Sequence, residues 1–355
     1  MDLTTESDSD CYCLIQLVAN RTFSAALYLC WSVASASVGL IDGNAISPES
    51  SAFKSIRIPQ HQKKELPMKL SAFALISLIL PCVALSAPEV DSREYKLLLK
   101  PTLFTHGTAD AVVADYFADF AAAVEATIAR DVTGTMSLDK IRTVRFFDTP
   151  GSCQLNNLGY IFRERIENGD SEVTLKFRSA DPYIADFEDL SAASSQAETK
   201  LESDFGVKNG NPLHIVYGHS TKTPNKRNLN DLEDINVHFP GFADDYNFSN
   251  STPLAVVGQL AVHERVYKGG EIDLGSIDAE VSITLWYHSL PATSQQPVIA
   301  EVSFKYEDSS ANYTKAVVNR AKLAFEAMQT LTAWNSSSSV TKTQFVYSYQ
   351  PDFCN

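Results

Sequence analysis

The sequence predicts an α+β fold, in which a largely antiparallel sheet is combined with flanking helices. Short segments that alternate apolar and polar residues recur along the chain and indicate strands. Two longer segments have apolar residues at helical spacing and lie between groups of strands. Asn168-Gly169-Asp170, placed between two alternating segments, is a strong hairpin turn signal.

The elements before residue 180 follow from these periodicities. The helix is predicted from Val113, Phe117 and Phe120, which share one face. Pro101 ends the first strand, because proline cannot donate a hydrogen bond to a sheet. The predicted elements are a strand at 95–100, the helix at 110–130, a short strand at 144–148, and a hairpin of 158–167 with 172–178.

The pattern is less regular after residue 180. Prolines and polar residues dominate 180–241, where only helical pieces near 191–205 are predicted. Strands then resume, and a second amphipathic helix follows them. The predicted elements are strands at 256–267, 278–288 and 298–306, the helix at 312–332, and a final strand at 344–349.

Residues 68–87 have the layout of a secretory signal peptide. Lys69 supplies the positive start, residues 70–80 form an uncharged apolar run, and Ala84-x-Ser86 offers a cleavage site. The run is shorter than the roughly 20 residues of a membrane span. Residues 1–67 are then a non-native or disordered extension. The alternative is a start at Met1, with 22–41 as an anchor or second targeting segment.

Cysteines and glycosylation motifs agree with export. Downstream of residue 87 only Cys153 and Cys354 remain, and in an oxidising compartment they would form one disulfide. Two free thiols are the alternative. Asn-x-Ser/Thr motifs, which are glycosylation acceptors in secreted proteins, occur at Asn247, Asn250, Asn312 and Asn335. We therefore expect a secreted, extracellular glycoprotein.

The charge of the chain restricts its partners. The formal net charge is −14, which disfavours general nucleic-acid binding and anionic membrane surfaces. No membrane association is expected of the mature form. Any anion site must therefore come from the local placement of basic residues.

Basic side chains recur on one face of several predicted strands. Arg163 and Arg165 share a face, as do Lys176 and Arg178, because a strand places alternate side chains on one side. The solvated outer face of an open sheet would show the same alternation. A closed barrel with a charged lumen is the other arrangement, and the clustering of Arg and Lys with few carboxylates favours it.

Several motifs resemble those of the CYTH superfamily, the triphosphate tunnel metalloenzymes. Residues 92–97 resemble its Glu-x-Glu-x-Lys opening, with Ser92 in place of the first glutamate. Residues 145–165 resemble its aromatic-Asp-Thr-Pro block and Arg-x-Arg pair, and 174–176 its Thr-Leu-Lys strand. Residues 301–305 resemble its late Glu-x-Glu strand, with Ser303 as the second residue.

The resemblance sets the expected domain limits. It implies a tunnel domain at 88–335, formed by an antiparallel barrel of about eight strands. Nothing aligns between 180 and 255, which is therefore predicted as an insertion. Residues 336–355 are a C-terminal tail.

The resemblance also implies a site. Family members hydrolyse or cyclise triphosphate compounds, so the expected partner is a phosphorylated small molecule or polyanion. Glu94, Lys96 and Glu301 are expected as catalytic residues, and Mg²⁺ or Mn²⁺ is expected on Glu94, Glu301 and Glu280. The expected phosphate-binding residues are Arg145, Arg163, Arg165, Lys176, Arg178, Arg265 and Lys305.

Two serines separate this chain from the family pattern. Ser92 and Ser303 stand where metal-binding glutamates are expected, so a divalent cation would have fewer ligands. Two hypotheses follow: a tunnel protein that binds a polyanion with at most weak metal-dependent hydrolysis, and an active metal-dependent triphosphatase. A secreted β-rich protein without an anion site is the third. The sequence gives no prediction of oligomeric state.

Overall fold

A ring of strands organises the part of the chain that the computed structural model describes, residues 87–208 and 210–355. The strands β1 to β9 are, in order, Ser92–Leu99, Val132–Asp148, Tyr160–Glu167, Asp170–Ser179, Glu198–Lys208, Asn211–Pro224, Ala255–Asp273, Asp278–Tyr287 and Ile299–Glu307. The helices α1 to α7 are Ala109–Ile128, Gln154–Asn157, Pro182–Phe187, Leu232–His238, Pro240–Asp245, Lys315–Gln329 and Lys342–Tyr349.

Every strand of the ring has two hydrogen-bonded neighbours. The order is β1-β5-β6-β4-β3-β2-β7-β8-β9, and β9 pairs back with β1. All pairs are antiparallel except β1 with β5, where Ser92 lies opposite Glu202 in a parallel register. The predicted α+β barrel with flanking helices is confirmed, with nine strands where about eight were expected. The ring encloses the tunnel that the family resemblance implies.

Helices cover the outside of the ring with two apolar layers. On the β1, β8 and β9 side, α1 and α6 pack through residues such as Phe120 and Phe325 against Phe304. On the β3 and β4 side, α4 and α5 pack through Phe239 and Phe242. The helices predicted at 110–130 and 312–332 are confirmed. Because the apolar strand residues face these helices, the polar residues between them face the tunnel.

Two predicted elements are wrong. The region near 191–205, predicted as helical, contributes most of β5, where Leu201 and Phe205 are buried on the outer face at a period of two. The predicted final strand is α7, which begins with a capping box between Thr341 and Gln344. Its alternating aromatic residues produced the strand-like pattern.

Part of the segment predicted as an insertion forms strands of the ring. Residues 198–224 form β5 and β6, which join β1 to β4 in the ring. The insertion limits of 180–255 therefore need correction. The connections on either side, 180–197 with α3 and 225–254 with α4 and α5, lie outside the ring of strands.

The C-terminal segment is fastened to the loop after β2. The predicted disulfide joins Cys153 to Cys354, with their Cα atoms 5.1 Å apart. The Gly151 amide donates to the Phe353 carbonyl at 2.8 Å. Tyr347 of α7 donates to Asp148 Oδ2 at 2.8 Å. These contacts hold α7 against one end of the ring.

An apolar group closes that end of the tunnel from inside. It is formed by inward-facing side chains of β2, β3 and β8, among them Phe146, Ile161 and Trp286, packed with Val346 of α7. The charged part of the tunnel lies beyond this group. The C-terminal segment 336–355, expected as a tail, is thus part of the folded domain.

The predicted extension and signal peptide, residues 1–86, lie outside the described residues. Among 87–208 and 210–355, no helix has the length and apolar character needed to cross a bilayer.

Replacing both cysteines, in Cys153→Ser/Cys354→Ser, should lower the free energy of unfolding by about 5 kcal/mol. The bond closes a loop with a sequence separation of 201 residues, so its loss increases the entropy of the unfolded chain. Urea denaturation under oxidising conditions measures the difference. Reduced wild-type protein is the control and should match the variant; equal stability of oxidised wild type and variant would contradict the role of the bond.

Candidate anion-binding site

Charged side chains from opposite parts of the ring meet inside the tunnel. Lys96 of β1 donates to Asp204 of β5 at 2.9 Å, and Lys176 of β4 donates to the same carboxylate at 3.2 Å. Arg178, also on β4, lies 3.6 Å from Asp204. Such contacts between strands that are not all neighbours require the side chains to point inward. They fix the inner face of each strand.

Four arginines form a group on the opposite wall. Arg142 of β2, Arg163 and Arg165 of β3, and Arg178 of β4 are inward-facing, and Arg163 is close enough to the other three to be repelled by each of them. Within the described residues, neither Arg163 nor Arg165 has a carboxylate within 4.0 Å. The buried Nε atoms of Arg163, Arg165 and Arg178 have no hydrogen-bond partner there either. Three guanidinium groups thus retain free donors.

The pKa values of this arginine group record its crowding. Burial, together with repulsion from Arg165, lowers the pKa of Arg163 well below its ordinary value. Burial and repulsion from Arg142 lower the pKa of Arg165 to about 10. An anion placed among these side chains would remove the repulsion and supply the missing acceptors. The arginine group therefore carries positive charge that the described residues compensate only in part.

Two carboxylates of β5, Glu202 and Asp204, neutralise the charges of Lys96 and Lys176. Lys176 lies between the two carboxylates, at 3.1 Å from Glu202 and 3.2 Å from Asp204. Burial alone would raise the pKa of Asp204, but Lys176 and Lys96 outweigh it and lower the pKa. Gly218 of β6 makes room for this arrangement, since a Cβ there would lie 2.1 Å from Lys176 Cε.

Glu264 of β7 is the buried counter-charge of the arginine group. Its side chain is 2% exposed, forms an ion pair with Arg142, and accepts a 2.7 Å hydrogen bond from Trp286 Nε1. Burial would raise the pKa of Glu264, but Arg142 and Arg165 outweigh it and hold the pKa below its ordinary value. Glu264 is thus a buried carboxylate that attracts Arg142, Arg163 and Arg165 together.

Arg145 and Arg265, expected as phosphate ligands, do not face the tunnel. Phe146 lies opposite Arg163 on the inner face, so Arg145 points outward and pairs with Glu164 at 2.6 Å. Arg265 points toward α1, where it donates to Tyr267 at 3.1 Å. The alternation within each strand was correct, but the face assigned to these two residues was wrong. Outward apolar residues beside each of them pack against the helices.

The other expected phosphate ligands do face the tunnel. Lys305 lies on the inner face of β9, opposite Glu94 of β1, and pairs with Glu307 at 3.1 Å. Arg163 and Arg165 of β3 and Lys176 and Arg178 of β4 form one continuous inner surface, the basic wall. The three residues expected to be catalytic, Glu94, Lys96 and Glu301, lie together on β1 and β9.

The three glutamates expected to hold a metal are each engaged by a lysine. Glu94 lies 2.7 Å from Lys96. Glu301 lies 2.7 Å from Lys342, and Glu280 lies 2.7 Å from Lys268. Among the described residues, no three His, Cys, Asp or Glu side chains are grouped as metal ligands would be. This donor set does not fit Mg²⁺ or Mn²⁺, which need several free oxygen ligands.

Sequence reasoning missed four residues of the site. They are Arg142, Glu202, Asp204 and Lys342. The period of two through 201–205 could have revealed β5 and with it the carboxylate pair. No comparable signal exists for Lys342, since its place depends on where α7 docks.

No protein-family model and no curated protein matches this chain. Among solved structures it is similar to a candidate adenylyl cyclase from Hippeastrum, described as having a dominant triphosphatase activity, at 11% identity over 73% of this chain and 96% of that one, with a TM-score of 0.37. A candidate adenylate cyclase from Bacillus halodurans is similar at 14% identity over 72% of this chain and 96% of that one, with a TM-score of 0.32. A protein from Pyrococcus horikoshii OT3 is similar at 12% identity over 66% of this chain and 90% of that one, with a TM-score of 0.26. These values carry over no residue role to this chain.

Replacing Glu264 by glutamine should lower the free energy of unfolding at pH 7 by about 3 kcal/mol, because the arginines lose their buried counter-charge. The folded-state pKa of Glu264 is lowered, so its stabilising effect is present above the ordinary pKa of about 4.3 and is lost as the pH falls below it. Urea denaturation at neutral and acidic pH should show the two proteins converging in acid.

Glu326→Gln is the control for this prediction, because Glu326 forms an exposed pair with Lys322 on α6. It should leave stability nearly unchanged at both pH values. A Glu264→Gln protein as stable as wild type at pH 7 would show that the pairing contributes nothing.

Proposed function

We propose that the tunnel binds a phosphorylated polyanion of low molecular weight, such as inorganic tripolyphosphate. The observation that carries the proposal is the set of three buried, unpartnered Nε atoms on Arg163, Arg165 and Arg178. Buried polar groups are nearly always hydrogen-bonded, so three orphaned donors on one wall point to a missing acceptor. Guanidinium groups match phosphate oxygens in geometry and charge.

The spread of the cations favours several linked anionic groups over one. Arg163 and Arg165 are two residues apart on β3, which separates their Cα atoms by about 7 Å. Arg178 and Lys176 extend the basic wall across β4. A chain of phosphate groups can contact successive side chains, whereas a single phosphate cannot reach all of them. The enclosure of the site within the ring favours a small ligand over a folded macromolecule.

Hydrolysis of the bound anion is the alternative function. Phosphoryl transfer depends mainly on positioning and on neutralising charge, which the arginine group could provide in part. Efficient metal-assisted turnover would need carboxylates free to hold a cation, and the lysine pairs of Glu94 and Glu301 work against that. Binding is therefore the function that the geometry supports best.

Replacing Arg163 and Arg165 by glutamine should separate stability from binding. Each substitution removes a buried charge that repels its neighbours, so the ligand-free protein should melt at the same or a higher temperature. Affinity for tripolyphosphate should fall by at least tenfold for each lost charged hydrogen bond. Calorimetric titration and thermal melts with and without the anion measure both effects.

Arg130→Gln is the matched control, because Arg130 lies outside the ring after α1 and pairs with Asp273, while its Nε is likewise buried and without a partner in the described chain. It should bind tripolyphosphate like wild type. Arg163→Lys keeps the charge but loses the planar fork, so it should bind with intermediate affinity. If wild-type protein neither binds tripolyphosphate nor is stabilised by it, the basic wall is not an anion site. Phosphate release measured in the same samples tests the hydrolytic alternative.

We also propose that the protein is secreted after cleavage near residue 86. The Cys153–Cys354 bond supports an oxidising compartment. Asn247, Asn250 and Asn312 are exposed, whereas Asn335 Nδ2 donates to the Met328 carbonyl at 3.0 Å and to a second carbonyl.

Expression of the full chain in eukaryotic cells should release a protein that begins near residue 87 and carries glycans on Asn247, Asn250 and Asn312 rather than on Asn335. Amino-terminal sequencing and peptide mass mapping measure both features. A cell-retained product that still begins at Met1 would overturn the proposal.

A further inference from the structure

We infer that the tunnel binds its anion without a divalent cation, because lysine ammonium groups from the chain already neutralise the carboxylates that a metal would use. The inference rests on the proposed function and narrows it to a metal-independent site. It depends on how Glu94 and Glu301 are engaged and on what surrounds them.

The ammonium group of Lys96 pairs with the first of these two carboxylates, Glu94. It lies 2.7 Å from Glu94 and 2.9 Å from Asp204, so one cation is shared by carboxylates of two strands. Charge-assisted hydrogen bonds of this length are strong, and a metal would have to displace the ammonium from both partners. Lys176 holds the other oxygen of Asp204, which leaves that carboxylate engaged on both sides.

Lys342, which lies on α7 outside the ring, pairs with the second carboxylate, Glu301. Its Nζ lies 2.7 Å from Glu301 Oε1, and the Glu301 side chain is 14% exposed. The ammonium also lies 5.4 Å from the centre of the Trp286 ring, within cation–π range. The neighbouring Thr343 accepts a 3.3 Å hydrogen bond from Arg178. The start of α7 is thereby fixed at the charged part of the tunnel.

The neighbours of the two carboxylates include the neutral hydroxyl groups of Ser92 and Ser303. Ser303 is 8% exposed and lies opposite Lys96 in the β1–β9 register. Ser92 is fully buried and donates to Glu202 at 3.1 Å, so it is already engaged. The connected group around Glu94 and Glu301 holds four carboxylates (Glu94, Glu202, Asp204 and Glu301) and four cations (Lys96, Lys176, Arg178 and Lys342), with no surplus negative charge for a dication. Hard divalent cations bind weakly where charged oxygen ligands are lacking.

The same ammonium groups can serve the anion directly. An ammonium on a flexible stem can turn from a carboxylate toward a phosphate oxygen without leaving the tunnel. Lys342 would then approach the anion from the α7 end, while the arginine group approaches from the opposite wall. The ligand site is completed by a residue that lies outside the strands of the ring.

Calorimetric titration with tripolyphosphate in EDTA and in excess Mg²⁺ tests the inference. Binding in EDTA should be at least as tight as in Mg²⁺, because Mg²⁺ competes for the free anion. Lys342→Met should weaken binding by about tenfold in either buffer, as expected for one charge-assisted hydrogen bond. Lys322→Met, on the exposed face of α6, is the control and should bind like wild type.

The outcomes separate this inference from the proposed function. Binding that requires Mg²⁺ or Mn²⁺ would overturn the inference and leave the anion site intact. An absence of binding in both buffers would overturn the proposed function itself. Equal affinity of Lys342→Met and wild type would show that the α7 lysine takes no part.

Electron paramagnetic resonance of Mn²⁺ provides a readout without any anion. Wild-type protein should leave Mn²⁺ free in solution. Ser303→Glu/Lys342→Met supplies a carboxylate and removes the competing ammonium, so it should bind one Mn²⁺, with circular dichroism checking that it is folded. Stoichiometric Mn²⁺ binding by wild type would overturn the inference.

Discussion

The parallel pairing between β1 and β5 is the contact that closes the ring. Without it both strands would be edges, and their inner faces would be open to solvent. Closure forces alternate side chains of nine strands into one enclosed space, where charges cannot be separated by water as they are on a surface. The ion pairs of Lys96, Lys176 and Asp204 follow from that constraint, since each inward charge needs a partner nearby.

Within the part of the chain that the structure describes, the charges of the arginine group are incompletely paired, and we propose that the anion binds there. The lysines are matched with carboxylates, and Glu264 is matched with Arg142, but Arg163 and Arg165 are left with unsatisfied donors within the described chain. Holding such groups together costs stability, which the lowered pKa values record. A fold tolerates this arrangement when a ligand removes the cost, as at many functional sites.

The sequence could predict alternation but not which face was turned inward. The period of two grouped Arg163 with Arg165 and Lys176 with Arg178, and both pairs face the tunnel. The same reasoning failed for Arg145 and Arg265, because the face is decided by where the helices pack, which is a tertiary property. The acidic half of the site was lost when β5 was interpreted as helix, so the tunnel was expected to be more basic than it is.

The position of Lys342 could not be predicted from the sequence either. It depends on the disulfide that joins Cys354, near the end of the chain, to Cys153 in the loop after β2. A lysine on an untethered tail would lose conformational freedom each time it entered the tunnel. The Cys153–Cys354 bond and the Tyr347–Asp148 hydrogen bond remove most of that freedom when the domain folds. The ammonium group is therefore already in place beside Glu301 before any anion arrives. In the metal-independent site that we propose, a cation positioned by the fold itself neutralises Glu301 in place of a metal.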